Sequence, residues 1–503
     1  MKNSVLQYLE RTVQEFPDKL AVVDSENSIT FSELRSRALQ ISNEIRQKYA
    51  IFKKPVLVYV PKSTTSIVCF MGILYSGNFY TPTDVTFPFE KVKGIIKKLE
   101  PSLYLSDTKN SIKLIENGIP KEQILNIDNL TACDSLECQN MLDDIIDTDI
   151  TYALFTSGST GVPKGVAITN RSIIDYIDWA RECYQIDENH SIGNQAPFYF
   201  DNSTLDIYLM LSTGATLHII PATYYAFPAK LIKYIVEQNI NTVFWVPSVL
   251  INIANYKLLD SIDCSCLKKI LFAGEVMPNK QLNYWRQKLP DALYSNLYGP
   301  TEITVDCTYY TVDREFKDDE PLPIGIPCIN SDVIVLDEDN NLVTEQDILG
   351  ELCVRGSSLA VGYWNDWEKT EEVFVQNPLN PFYPEKIYRT GDLVYYNERG
   401  ELVFAGRKDF QIKHSGYRIE LGEIEAAAMG KEEVSSVCAS YHKEKKQIVL
   451  FYQGEIGEEE LKDYLLTIIP KYMVPTIYYP LERFPYNDNG KIDRKQLEEQ
   501  YLK

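Results

Sequence analysis

The chain has few of the residues that build metal sites and none of the runs that cross membranes. Its ten cysteines are scattered from Cys69 to Cys438 with no CxxC pair, and only His190, His218, His414 and His442 accompany them. No zinc-ligand spacing results. Cys264-Ser265-Cys266 brings two thiols together, and beside a predicted strand they read as ordinary thiols. No run of about eighteen apolar residues exists, and Met1-Lys2-Asn3-Ser4-Val5-Leu6-Gln7-Tyr8 lacks a signal-peptide core. A cytoplasmic location with reduced thiols is therefore expected, without membrane insertion. Positive charge is also in deficit: 50 Lys and Arg face 71 Asp and Glu, a net charge of -21. That balance argues against nucleic acid as the main partner.

What is present is enough apolar material for several cores, 45% of 503 residues. Val5, Leu6, Leu9, Val13 and Phe16 share a helical face, and Thr30-Phe31-Ser32-Glu33 has capping-box form at the start of a second helix. Apolar runs at 56–60, 241–246 and 269–273 read as strands alternating with helices, so the body is α/β. From Asp332 to Arg355 short strands and the turn Asp337-Glu338-Asp339-Asn340-Asn341 indicate a β-rich subdomain. Past Gly406-Arg407-Lys408-Asp409 the pattern becomes a compact α+β unit, with helices at 421–429 and 458–466, a strand at 448–452 and a polar tail. The expected organisation is a large N-terminal domain, 1–408, of packed α/β subdomains plus the β-rich one, and a small mobile C-terminal domain, 409–503.

Six clusters carry chemistry. Phe155-Thr156-Ser157-Gly158-Ser159-Thr160-Gly161-Val162-Pro163-Lys164-Gly165 follows a predicted strand and combines hydroxyls, glycines and a lysine. Backbone N–H groups freed by glycine, hydroxyl donors and one cation suit a phosphate. It is not a Walker A loop, since Pro163 precedes Lys164 and Gly165 follows it; the plain alternative is a surface turn. Tyr298-Gly299-Pro300-Thr301-Glu302 supplies a ring for a base, a hydroxyl for a phosphate and a carboxylate for Mg²⁺. Tyr388-Arg389-Thr390-Gly391-Asp392 offers a carboxylate suited to a ribose diol. Gly406-Arg407-Lys408-Asp409 marks the domain joint, and Lys413-His414-Ser415-Gly416-Tyr417-Arg418 is a polar loop beyond it. Asn489-Gly490-Lys491-Ile492-Asp493 presents a lysine on a turn, which alone reads as a surface lysine in a hairpin.

In this order the clusters resemble the adenylate-forming superfamily of acyl-CoA synthetases, luciferases and peptide-synthetase adenylation domains, over almost the whole chain from Phe31 to Asp493. The resemblance implies ATP and Mg²⁺, attack of a carboxylate on the α-phosphate, release of pyrophosphate, and capture of the acyl group by a thiol. It assigns Thr156, Ser157, Gly158 and Lys164 to the leaving pyrophosphate. Tyr298, with Gly274, Asn296 and Gly299, goes to the nucleotide, and Thr301 and Glu302 go to the α-phosphate and the metal. Asp392 is assigned to ribose with Arg407 close by, Lys491 to the reacting oxygens, and Asp409 to a hinge that swings the small domain.

Phe198-Tyr199-Phe200-Asp201-Asn202-Ser203 bears on the acid. A carboxylate behind aromatics is costly unless paired. In amino-acid-activating members the matching Asp pairs with the substrate ammonium; the alternative for Asp201 is a helix cap. Matched pocket walls are Asn202, Leu205, Ser248, Leu271, Ala273, Leu297, Val305 and Asp306. Asp306 implies a hydroxyl or amine on a small polar substrate such as serine, or else a strand-end carboxylate. Length and the stretch 77–88 look most like stand-alone D-alanine–carrier protein ligases. Phe272-Ala273-Gly274-Glu275 departs from them where they are expected to carry Cys, which keeps a free-standing adenylation enzyme of secondary metabolism in play. No phosphopantetheine attachment site follows Lys491, so a carrier protein in trans is expected, attracted by Lys408, Lys413, His414 and Arg418. An acyl-CoA synthetase is the alternative.

Overall fold

The computed structural model describes residues 2–130, 142–158, 162–318, 320–409, 411–485 and 492–502. It divides into two compact units: one of Met1–Val85, Leu99–Leu154 and Gly165–Lys408, the other of Thr86–Lys98, Phe155–Lys164 and Asp409–Lys503.

The first unit is built on three sheets. The largest has nine strands in the order Ile326–Pro327, Thr308–Thr311, Leu293–Tyr298, Lys269–Ala273, Thr242–Trp245, Ser191–Asn194, Thr216–Ile219, Leu20–Val23 and Ser28–Thr30. The six strands from Leu293–Tyr298 to Leu20–Val23 are parallel, and so are buried on both faces. Their side chains alternate between two cores. Val243, Trp245, Ile270, Phe272 and Tyr294 enter one, while Phe244, Leu271, Ala273 and Leu297 enter the other. Helix Asn202–Thr213 packs in the second core and is buried along nearly its whole length. Gly214 ends it at φ 79°, a left-handed cap whose N–H donates to the Met210 carbonyl.

A seven-stranded sheet contains the parallel strands Phe79–Pro82, Pro55–Tyr59, Leu103–Ser106 and Ile124–Asn126. An antiparallel five-stranded sheet forms the β-rich part, from Ser331–Leu336, Gly350–Gly356, Phe374–Gln376, Lys386–Tyr396 and Leu402–Arg407. Asp337 closes its first turn by accepting the N–H groups of Asp339 and Asn341 at 2.9 and 2.8 Å. The capping box at Thr30 and Glu33 starts helix Phe31–Glu44.

The second unit differs from the sequence expectation at two places. The segment read as a polar loop is a β-hairpin, Gln411–His414 with Tyr417–Glu420. Ser415 at φ 52° and Gly416 at φ 81° give the two-residue turn that matches strand twist. The segment read as a polar tail holds helix Arg494–Tyr501, capped by Asp493 and anchored by buried Leu497. Helices Leu421–Met429 and Glu458–Ile468 enclose Ile424, Leu450, Leu461 and Leu465 against strands Val434–His442, Gln447–Gly454 and Ile477–Pro480. Among the described residues no helix is long and apolar enough to cross a membrane.

Candidate active site

Four parallel strands of the large sheet end in segments that carry predicted site residues, and open α/β sheets bind ligands beyond such carboxyl ends. Leu271 and Ala273 lie on one strand and Leu297 on the next, with Ala273 and Leu297 as register partners. All three enter the same core as Leu205 and Val305. Asp201, 9% exposed, precedes helix Asn202–Thr213 and accepts the Asn202 N–H at 2.9 Å. It therefore touches the helix start, and a carboxylate keeps capacity for further donors after one such bond. The Asn202 Nδ2 is buried without a hydrogen-bond partner, a donor that calls for a polar ligand. Ser248 gives its N–H (3.0 Å) to one oxygen of Glu275, and its hydroxyl goes to the same oxygen. Glu275, to which the sequence reading gives no role, thus ties two strand-end segments together. Gly274 beside it has φ 94°, a conformation in which any side chain is strained.

The turn after Tyr298 is the most constrained part of the site. A Cβ on Gly299 would stand 2.3 Å from the Val305 carbonyl oxygen and 2.6 Å from the Asp306 Cα. Thr304 and Val305 have φ 61° and 72°, and β-branched residues there cost about 1–3 kcal/mol each. The strain is held by the Thr304 hydroxyl on the Ser358 carbonyl at 2.7 Å and the Ala360 N–H on the Glu302 carbonyl at 2.9 Å. Gly299→Ala is accordingly expected to lower stability by about 1–3 kcal/mol in denaturant titration, through the forced overlap; unaltered unfolding would refute this packing.

Three buried carboxylates meet tyrosine hydroxyls. Tyr298 donates to Asp392, which also takes Arg407 at 2.6 Å from the adjacent strand. Burial, then the charge of Asp392, holds the Tyr298 hydroxyl well above its ordinary pKa, so it stays a donor. Tyr363 donates to the fully buried Glu302 at 2.7 Å. Tyr176 donates to Asp306 at 2.6 Å, so the protein already supplies one of the hydroxyls that Asp306 was expected to seek. Tyr176 and Tyr363 belong to none of the sequence motifs. Asn296 gives its Nδ2 to the Pro323 carbonyl at 2.8 Å, and Thr301 is buried beside Glu302.

Thr156, Ser157, Gly158 and Lys164 bound a loop of the second unit. Ser157 donates to the Arg418 carbonyl at 3.1 Å, and the Lys164 ammonium lies 3.7 Å from Glu420. The Thr156 hydroxyl is buried without a partner. A Cβ on Gly158 would overlap the Val162 carbonyl oxygen at 1.9 Å. Asp409 accepts the Gln411 N–H at 3.2 Å. Ser159, Thr160 and Gly161 lie outside the described residues, as does Lys491 with Asn489 and Gly490.

The profile of the AMP-binding enzyme family matches residues 9–364. The chain is 32% identical to zwittermicin A synthase ZmaJ of Bacillus cereus over 99% of its own length and 95% of that protein. It is 32% identical to tyrocidine synthase 3 of Brevibacillus parabrevis over 98% of its length but only 8% of that protein. The fold matches the Vibrio cholerae adenylation domain AlmE, solved with glycyl-adenosine-5'-phosphate, at TM-score 0.85 and 20% identity, covering 99% of this chain and 98% of that one. Enzymes of the family use ATP with Mg²⁺. Among the described residues no cluster of three potential ligands exists, yet Mg²⁺ needs only one or two carboxylates when substrate phosphates complete its shell. The buried Glu302 fits that requirement. The chain belongs to the AMP-binding enzyme family, and its relatives include the zwittermicin A and tyrocidine synthases.

Proposed function

We propose that the chain activates a small polar amino acid as its aminoacyl-adenylate and passes the acyl group to the phosphopantetheine thiol of a separate carrier protein in the cytoplasm. The observation that carries this reading is Asp201. It is a buried carboxylate directly before helix Asn202–Thr213, whose Leu205 shares one apolar core with Leu271, Ala273, Leu297 and Val305, and its neighbour Asn202 carries a buried amide nitrogen without a hydrogen-bond partner. A substrate ammonium offsets the cost of burying that charge, and a fatty acid has no group to do so.

In the first step a substrate carboxylate oxygen bonds to the α-phosphorus of ATP, and the bond to the β-phosphate oxygen breaks, releasing pyrophosphate. The barrier comes from negative charge on crowded oxygens, so positioned donors dominate catalysis. Thr156, Ser157, Gly158 and Lys164 are assigned to the departing pyrophosphate, and Thr301 and Lys491 to the reacting oxygens. Glu302, oriented by Tyr363, holds Mg²⁺, which supplies charge neutralisation when bound. Tyr298 is assigned to the adenine, and Asn296, Gly274 and Gly299 to the nucleotide. Asp392, fixed by Tyr298 and Arg407, keeps lone pairs for a ribose diol. In the second step the carrier thiol attacks the acyl carbon and AMP leaves. Residues 409–503 form the domain that turns about Asp409 between the two steps.

The buried amide nitrogen of Asn202, which has no hydrogen-bond partner, favours a serine-like side chain over alanine, whereas Asp306 already takes the Tyr176 hydroxyl. Bound glycyl-adenylate in AlmE is in keeping with a small substrate for this fold. Pyrophosphate exchange against panels of amino and fatty acids tests the reading. Exchange with small polar amino acids is expected; exchange with fatty acids alone would make the chain an acyl-CoA synthetase.

A further inference from the structure

Lys62 matches none of the motifs above, yet it reaches the segment that carries Asp201. It follows strand Pro55–Tyr59 of the seven-stranded sheet and stands just before Ser63, the N-cap of helix Thr64–Tyr75. Its Nζ donates to the Gln195 carbonyl at 3.1 Å and lies 5.4 Å from the centre of the Phe198 ring. Gln195 in turn accepts the Val246 N–H on its side-chain oxygen at 3.3 Å. One ammonium thus secures two strand-end segments, 195–202 and 246–248, which bear Asp201, Asn202 and Ser248.

A counter-charge lies nearby. Asp206, 1% exposed, sits one helical turn beyond Asn202 and accepts the Asn194 Nδ2 at 2.8 Å. Asp206 attracts Lys62 at longer range than a direct ion pair. The Asn194 Oδ1 is buried without a partner. An ammonium on a carbonyl and an aromatic face, balanced by a buried carboxylate, is a costly arrangement for a segment needing only to be packed.

We propose that Lys62 is a positioning residue of the amino-acid subsite: its ammonium, on the Gln195 carbonyl and over the Phe198 ring, holds segment 195–202 so that Asp201 is aimed at the substrate. The inference rests on the amino-acid reading of the site. Burial pushes the Lys62 amine down to about 7 against the pull of Asp206 and Asp84. Burial likewise pushes the Asp206 carboxyl up to about 7, against its bond from Asn194 and the charge of Lys62. Tyr225 is the other titratable group facing Asp206, and burial keeps its hydroxyl protonated. Lys62 is therefore charged mainly below about 7, where Asp206 is mainly protonated, and as pH rises through that range the amine loses its charge and its bond to the Gln195 carbonyl weakens.

The test is amino-acid and ATP KM by pyrophosphate exchange from ~pH 6 to ~pH 8.5. In the parent the amino-acid KM is expected to climb severalfold across that range. Lys62→Met should show an amino-acid KM about tenfold above the parent's low-pH value, flat with pH, with the ATP KM within about twofold. Lys62→Arg should keep the low value and also be flat. Asp206→Asn, which removes the charge that favours the ammonium, should move the parent's inflection to lower pH. A Lys62→Met enzyme with a parental melting curve and unchanged amino-acid KM would overturn the inference, as would equal shifts in both KM values. Absence of exchange with every amino acid in the parent would instead remove the adenylation reading itself, and this inference with it.

Discussion

Replacing Asp201 by alanine raises the KM for the amino acid by about 100-fold or more and leaves the KM for ATP within about twofold. The size follows from what is left behind. An ammonium brought to the 9% exposed Asp201 loses much of its water, and the carboxylate is the charge proposed to replace it. Removing one partner of such a pair costs about 3–5 kcal/mol, a factor of several hundred or more in affinity. Because Asp201 also accepts the Asn202 N–H, alanine should additionally cost about 1 kcal/mol of stability through the lost cap. Asp201→Asn separates the two roles: its amide oxygen still caps the helix while the charge is gone. The asparagine variant should therefore melt like the parent and bind the amino acid almost as poorly as alanine. Parental amino-acid kinetics in Asp201→Asn, with stability lost only in Asp201→Ala, would reduce Asp201 to a helix cap.

Lys491→Ala is expected to slow adenylation by about 100- to 1000-fold, the loss typical of one preorganised donor on a developing charge. Thioester formation from supplied aminoacyl-adenylate should change by less than about threefold, because the role proposed for Lys491 is confined to the step in which the Pα–O bond forms. Single-turnover measurement of each half-reaction separates the two. Equal loss in both would contradict the assignment of Lys491 to one step and of Asp409 to a hinge that withdraws it.

Local features of this chain were legible where short-range chemistry decides them. Thr30 and Glu33 announce a helix start because both donors of the box lie within one turn. The runs 241–246 and 269–273 announce strands of an α/β body because their apolar residues are continuous, and the structure pairs 242–245 with 269–272 in parallel. The turn at Asp337 follows from one side chain bonding its own backbone. The hairpin at Ser415-Gly416 escaped notice because its strands, Gln411–His414 and Tyr417–Glu420, are polar and only part-buried. The helix Arg494–Tyr501 escaped because it buries little beyond Leu497.

The second tier of the site was not legible for a different reason. Tyr176 meets Asp306 across 130 residues, and Tyr363 meets Glu302 across 61. Neither tyrosine stands in a pattern, and only the folded chain selects one hydroxyl among 34 tyrosines for each carboxylate. The strained Thr304 and Val305 carry no signal at all, since β-branched residues ordinarily mark strands. The residues proposed to meet substrate come in motifs, and the tyrosines bonded to them are distributed through the fold.

The most direct measurement of the central claim is a crystal structure with a non-hydrolysable analogue of the aminoacyl-adenylate. The account requires the analogue's ammonium within about 3 Å of an Asp201 oxygen, its ribose hydroxyls on Asp392, and its adenine against Tyr298. An analogue bound with its ammonium in solvent and Asp201 engaged only by the Asn202 amide would contradict it.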